Sequence, residues 1–150
     1  GRNGRNWSTD PATTGSWLRT EREYGDFRLE LQFMINEGGN SGVFFRSGAE
    51  RNPAFTGYEL QIVDGYGQAP SKGNAGSLYD VIAPRTHAIR RANEWNTLTI
   101  VCRGSHVHVD LNWNTIIDTD LTRSNRGYIG LQNHDDKSVV RFKNIRVQEL

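Results

Sequence analysis

From Asp26 onward the chain alternates between apolar and polar positions. Phe27, Leu29, Leu31, Phe33 and Ile35 fall on one side, and Arg28, Glu30, Gln32 and Met34 on the other. Successive side chains of a strand point to opposite faces, so this period of two predicts a half-buried strand. Glu37-Gly38-Gly39-Asn40 ends it as a turn. Residues 42–47 predict a second strand, with Val43 and Phe45 facing one way and Phe44 and Arg46 the other. Residues 57–64 predict a third, in which Tyr58, Leu60 and Ile62 alternate with Glu59, Gln61 and Val63. Residues 65–75 are rich in glycine, proline and serine and read as a long loop, a common place for a site rim.

Residues 76–82 predict another short strand, stopped by Pro84, and residues 85–94 have room for one helical turn. Residues 95–103 and 106–112 form a hairpin across Gly104-Ser105. Residues 115–118, 127–133 and 138–148 complete the pattern. In the last of these the apolar parity switches between Val140/Phe142 and Ile145/Val147, which predicts a β-bulge near Lys143-Asn144. Residues 1–15 carry no sustained period and read as an irregular lead-in to one domain spanning 1–150. About ten short strands without crossover helices make the fold class all-β, a sandwich of two antiparallel sheets.

The composition agrees: 35% of the 150 residues are apolar and 16 are glycine, which suits short strands and tight turns better than a helix bundle. Eighteen basic residues nearly balance seventeen acidic ones, without runs of like charge, so nucleic acid is not an expected partner. No run of about 20 apolar residues predicts a membrane span. The single cysteine, Cys102, excludes an internal disulfide and shares parity with Leu98 and Ile100, as a small buried hydrophobe would.

The polar faces carry the candidate chemistry. Phe44 and Arg46, Glu59 and Gln61, and Gly130, Gln132 and His134 stand opposite the apolar parity of their strands. An aromatic for stacking, an arginine, two amides, a carboxylate and an imidazole suit a set that binds sugar hydroxyls and moves protons. The simpler account is a wet face of cross-strand pairs, with Glu59 and Arg46 in an ordinary salt bridge. Strict alternation sends Asp64 to the face opposite Glu59. A bulge at Ile62-Val63 would return it, and two carboxyls could then flank a scissile bond. His106-x-His108-x-Asp110 places three candidate metal ligands on one strand face, although a plain polar outer surface accounts for it equally well.

Seven ordered segments resemble one family. They are Tyr24-Gly25-Asp26-Phe27, Asn40-Ser41-Gly42-Val43-Phe44-Phe45-Arg46, Gly57-Tyr58-Glu59-Leu60-Gln61-Ile62-Val63-Asp64, Gly76-Ser77-Leu78-Tyr79-Asp80, Glu94-Trp95-Asn96, Gly127-Tyr128-Ile129-Gly130-Leu131-Gln132-Asn133-His134 and Phe142-Lys143-Asn144-Ile145. Together they are similar to the 3-keto-disaccharide hydrolase domain. The resemblance implies a concanavalin A-like jelly roll, a bacterial protein exported to the periplasm or secreted, and cleavage of glycosides oxidised at the sugar C3. The family has a further upstream strand that residues 1–15 match poorly, so the resemblance implies that this strand is missing or rearranged; Asn112-Trp113-Asn114 departs from the family's asparagine-glycine hairpin turn, and Asn133 with Asp135 alters the loop around His134.

A C3 ketone acidifies the C2–H, so a base can form an enolate that expels the aglycone from C1, and hydration completes a net hydrolysis. For that chemistry the candidates are Glu59 or His134 as base, Arg46 with Gln61 as enolate stabiliser and substrate clamp, and Asp64 or His134 as proton donor. Gln132, Phe44, Asn40 and Tyr79 are the further substrate-binding candidates. No cofactor is expected, although a divalent cation held by Glu59 and His134 is an alternative electrophile to Arg46. The competing functions are a non-catalytic carbohydrate-binding module of the lectin type and a protein-interaction domain of laminin-G type.

Overall fold

A computed structural model describes residues 2–3 and 16–150. Its strands are β1 (Arg2–Asn3), β2 (Ser16–Arg19), β3 (Phe27–Ile35), β4 (Asn40–Ser47), β5 (Tyr58–Val63), β6 (Asn96–Arg103), β7 (His106–Leu111), β8 (Asn114–Asp120), β9 (Tyr128–Asn133) and β10 (Val140–Glu149), with one helical turn, α1 (Pro53–Thr56). They form two five-stranded antiparallel sheets, ordered β1-β2-β9-β4-β5 and β10-β3-β6-β7-β8. The fold is an all-β, concanavalin A-like sandwich.

The alternation of each strand decides what lies between the sheets. Phe27, Leu29, Leu31, Phe33 and Ile35 of β3 meet Leu98, Ile100 and Cys102 of β6 and Val107 and Val109 of β7 from one side. Val43, Phe45, Leu60, Ile62 and Ile129 come from the other. Burial is the first cause that pushes the Cys102 thiol up to about 12, so it serves as packing rather than as a nucleophile. The parity switch in β10 is a bulge: the pairing with β3 shifts between Lys143 and Arg146, and Asn144 has φ 54°.

The outcome differs from the alternation pattern in four places. Arg2–Asn3 of the lead-in pairs with β2, and Ser16–Arg19, just after the lead-in, pairs with β9, so both extend the first sheet. The rest of the expected irregular lead-in lies outside the described residues. Residues 76–82 do not form a strand. Leu78 makes isolated bridges to Leu60 and Ile82, because the chain folds back on itself within four residues after touching the β5 edge. The helical turn lies at α1 and not within 85–94. There the Asn52 side chain accepts from the Ala54 N–H and Pro53 opens the turn, a combination of cap and first-position proline that favours initiation.

Candidate functional site

The face of the first sheet turned away from the core is organised in rows across the strands. In one row Trp17 of β2 pairs with Gln132 of β9. Continuing the β4–β9 register from Val43↔Leu131 puts Gly42 beside Gln132, and Gly42 pairs with Gln61 of β5. The backbone of Gln61 then bonds the Ser77 carbonyl at 2.9 Å. In the next row Arg19 pairs with Gly130, Gly130 with Phe44, and Phe44 with Glu59, and the Tyr79 N–H donates to the Glu59 carbonyl at 2.8 Å. Thus Phe44, Glu59, Gln61 and Gln132 share one face, as the alternation predicts, and the isolated Leu60–Leu78 bridge sets Tyr79 beside Glu59.

Two glycines shape this face. A Cβ at Gly130 would overlap the Trp17 indole, and one at Gly42 would overlap the Glu59 carboxylate. Trp17 therefore lies over β9, with its ring edge-to-face on Phe44 at 5.6 Å, and Ala54 of α1 closes the same apolar cluster. The Glu59 carboxyl leans over β4 toward Gln132 through the space that Gly42 leaves. Alanine at Gly42 is expected to displace that carboxyl, lowering substrate turnover at least tenfold and costing about 1–3 kcal/mol of stability, because the added methyl meets the buried Glu59 side chain. Steady-state kinetics and thermal unfolding of the variant check this.

The electrostatics of the face are unusual. Glu59 is only 4% exposed, and burial raises its carboxyl to about 8. Among the described residues its Oε2 has no hydrogen-bond partner, nor do Gln132 Oε1, Asn40 Oδ1 and Ser77 Oγ, all of them buried. An unsatisfied buried acceptor costs about 1–3 kcal/mol. Four on one sheet face constitute a standing demand for donors, which the hydroxyls of a polyol can meet.

His134 stands one residue past β9. Its Nδ1 lies 2.6 Å from Asp135 Oδ2. Asp135 also accepts from the Ser138 hydroxyl at 3.0 Å and from the backbone N–H groups of Lys137 and Ser138. These bonds, the one from His134 first among them, hold Asp135 down to about 2. An ionised Asp135 only accepts, so the proton of this bond sits on His134 Nδ1. The Ser138 Oγ that bonds Asp135 also accepts from the Asn40 N–H at 2.8 Å, which ties this pair to β4.

Arg46 and Asp64 do not join the group. The pairing of β4 with β9 shifts between Phe44 and Ser47, and Arg46 has φ 51°, so its side chain turns away from the Glu59 face. It is 0% exposed, and its guanidinium donates to the Gly25 and Gly104 carbonyls and to Asp26. The Glu59–Arg46 salt bridge is therefore absent, and Arg46 instead joins the two sheets. The bulge at Ile62-Val63 is also absent, since β4 and β5 pair without interruption from Phe45↔Tyr58 to Asn40↔Val63. Asp64 accepts from the Gly38 N–H at 2.9 Å and braces the β3–β4 turn. Sequence reasoning missed Trp17, Gly42 and Ser77. The signal available for Gly42 was a glycine inside a strand, which marks close approach of another group.

On the opposite sheet His106 pairs with Asp118 and Asp120, and His108 with Asp110. Among the described residues no group of three or more His, Cys, Asp or Glu side chains is arranged to hold a metal ion, and none of their helices is long and apolar enough to cross a membrane.

The architecture recurs in solved structures. A Parabacteroides distasonis protein described as a "Putative glycosyl hydrolase" superposes with a TM-score of 0.79 at 24% identity, covering 96% of this chain and 90% of that one. The carbohydrate-binding module CBM66 from Bacillus subtilis superposes with a TM-score of 0.69 at 18% identity, covering 91% and 83%. At these identities the likeness is one of fold. In sequence, the chain is 25% identical to a 3-keto-disaccharide hydrolase of Bacteroides thetaiotaomicron, with 91% of this chain aligned to 62% of that protein. The family described as the 3-keto-alpha-glucoside-1,2-lyase-like domain matches residues 3–148, nearly the whole chain and all the rows of the polar face, and the chain belongs to that family.

Proposed function

We propose that the outer face of the first sheet cleaves glycosides already oxidised at C3, by elimination followed by hydration. The observation that carries this reading is the pairing of opposites across β4. A carboxyl that burial keeps protonated near neutral pH stands on one side, and an imidazole oriented by an ionised aspartate on the other. A proton-bearing carboxyl and an imidazole held in place by a carboxylate suit an acid and a base.

His134 Nε2 takes the C2 proton, and the electron pair moves onto the C3 carbonyl oxygen. The amide N–H groups of Gln61 and Gln132 stabilise that oxyanion. As the enolate collapses the C1–O bond breaks, and the Glu59 carboxyl gives its proton to the departing oxygen. Water then adds at C1 while C2 regains a proton, so the products are a free 3-keto sugar and the aglycone. Trp17, packed on Phe44, braces the face from one side, and Asn40, Ser77 and Tyr79 border it. Arg46 and Asp64 have no part in this scheme.

The second reading is a sugar-binding module without turnover, which the likeness to a carbohydrate-binding module and the unpartnered acceptors also favour. Incubation with a 3-oxidised glucoside, followed by mass spectrometry with and without a chelator, separates the two. Release of the aglycone in both conditions is expected. Binding of the substrate without its consumption would leave the module reading standing, and turnover that the chelator stops would call for a cation as electrophile.

A further inference from the structure

On the outer face of the second sheet a trough of about 530 Å³ runs across the strands, lined among others by Trp113, Thr97, Thr99, Asp110, Glu30 and Arg146. Its floor is low because the two threonines of β6 lie between longer neighbours. Arg146 pairs with Glu30, Glu30 with Thr99, and Thr99 with Asp110, so one row crosses the sheet. Trp113 overhangs the trough from the β7–β8 turn and is 77% exposed.

The turn that presents this indole is itself informative. Asn112 has φ 51° and Trp113 φ 65°, the left-handed pair that a two-residue hairpin of this type needs and that asparagine-glycine supplies without strain. A bulky residue there is a conformational outlier, and here it places the largest apolar side chain of the sequence in solvent. Strain retained at an exposed position points to a use for the side chain.

We propose that this trough is a second saccharide-binding site, separate from the face that carries Glu59. The chemistry favours a neutral sugar. Trp113 presents an apolar plane for the C–H face of a pyranose or furanose ring. The lining charges balance, Arg28 and Arg146 against Glu30 and Asp110, with Arg28 and Glu30 paired at 2.7 Å, so no net charge selects an anion or a cation. Both donors and acceptors face the space, as hydroxyl groups require. The volume lies in the range of small-ligand sites. Such a site holds a polymeric or oligomeric glycan on the side of the sandwich opposite the Glu59 face, without entering the chemistry.

The test uses the whole chain labelled with nitrogen-15. Its four tryptophans give four indole N–H signals. Trp113→Gly, which suits the turn's backbone, identifies the Trp113 signal by its loss. Cellotetraose, maltotetraose and a levan-type fructo-oligosaccharide are the probes. The expected result is a saturable shift of the Trp113 signal with at least one of them, weakened tenfold or more in an Asp110→Ala/Arg146→Ala variant whose other indole signals stay in place. A Trp113 signal unmoved by all three sugars, or moved equally in that variant, overturns the proposal. The Trp17 signal reports on the Glu59 face independently, so failure of one site is read separately from failure of the other.

Discussion

Replacing Glu59 by glutamine is expected to reduce turnover of a 3-keto-glucoside by about 100- to 10,000-fold, the usual contribution of a general acid, while making the protein more stable. The two effects share one cause. In the folded protein the carboxyl is held at about 8, against 4.5 as its ordinary value. Below that ordinary value both folded and unfolded chains carry the proton and burial has no charge to oppose. As the pH rises further the unfolded chain loses its proton first, so stability falls steadily until the folded carboxyl also ionises. At about 1.4 kcal/mol per pH unit, the wild type has lost roughly 3 kcal/mol by pH 7. Glutamine has the same shape and no charge, so the variant should be flat over this window and unfold roughly 5–10 °C higher at pH 7. Melting curves between pH 4 and 9, with turnover measured beside them, check both effects. A variant as active as wild type would remove Glu59 from the chemistry.

Arg46→Met is expected to do the reverse. It should lower unfolding free energy by about 3–5 kcal/mol, the scale for breaking a buried, fully paired charge, and leave turnover per folded molecule close to wild type. The guanidinium is buried and bonds the Gly25 and Gly104 carbonyls and Asp26. Its loss leaves two carbonyls without donors in the joint between the two sheets. Denaturant unfolding reads the first effect, and kcat/KM corrected for the folded fraction reads the second. A stable variant that had lost turnover would return Arg46 to the reacting centre.

These two residues also mark how far the alternation of the chain carries. On β3, β6 and β7 the period of two holds without interruption, and the core residues it nominates are the ones that pack. The shared face of Phe44, Glu59, Gln61 and Gln132 follows from the same rule. It fails at Arg46 because a backbone excursion to φ 51° is set by the pairing of β4 with β9, and nothing in the residue type announces it. Asp64 depends on a bulge that the unbroken register of β4 and β5 does not contain.

Trp17 was hidden for a different reason. The four residues of β2 are too few to show a period, and their pairing with β9 spans more than a hundred positions of sequence. Gly42 and Gly130 were visible as strand glycines, but only the structure shows what fills the space above each. His134 and Asp135 are adjacent in sequence, yet the role of Asp135 comes from three further bonds within its own loop.

The proposed elimination has one direct signature, because it removes the hydrogen on C2 and restores it from solvent. Turnover of a 3-oxidised glucoside in deuterium oxide, quenched early and read by mass spectrometry and NMR, should yield a 3-keto sugar carrying one deuterium on C2, above an enzyme-free control. A product with no carbon-bound deuterium would mean direct hydrolysis at C1, and the assignment of His134 as a carbon base would be wrong.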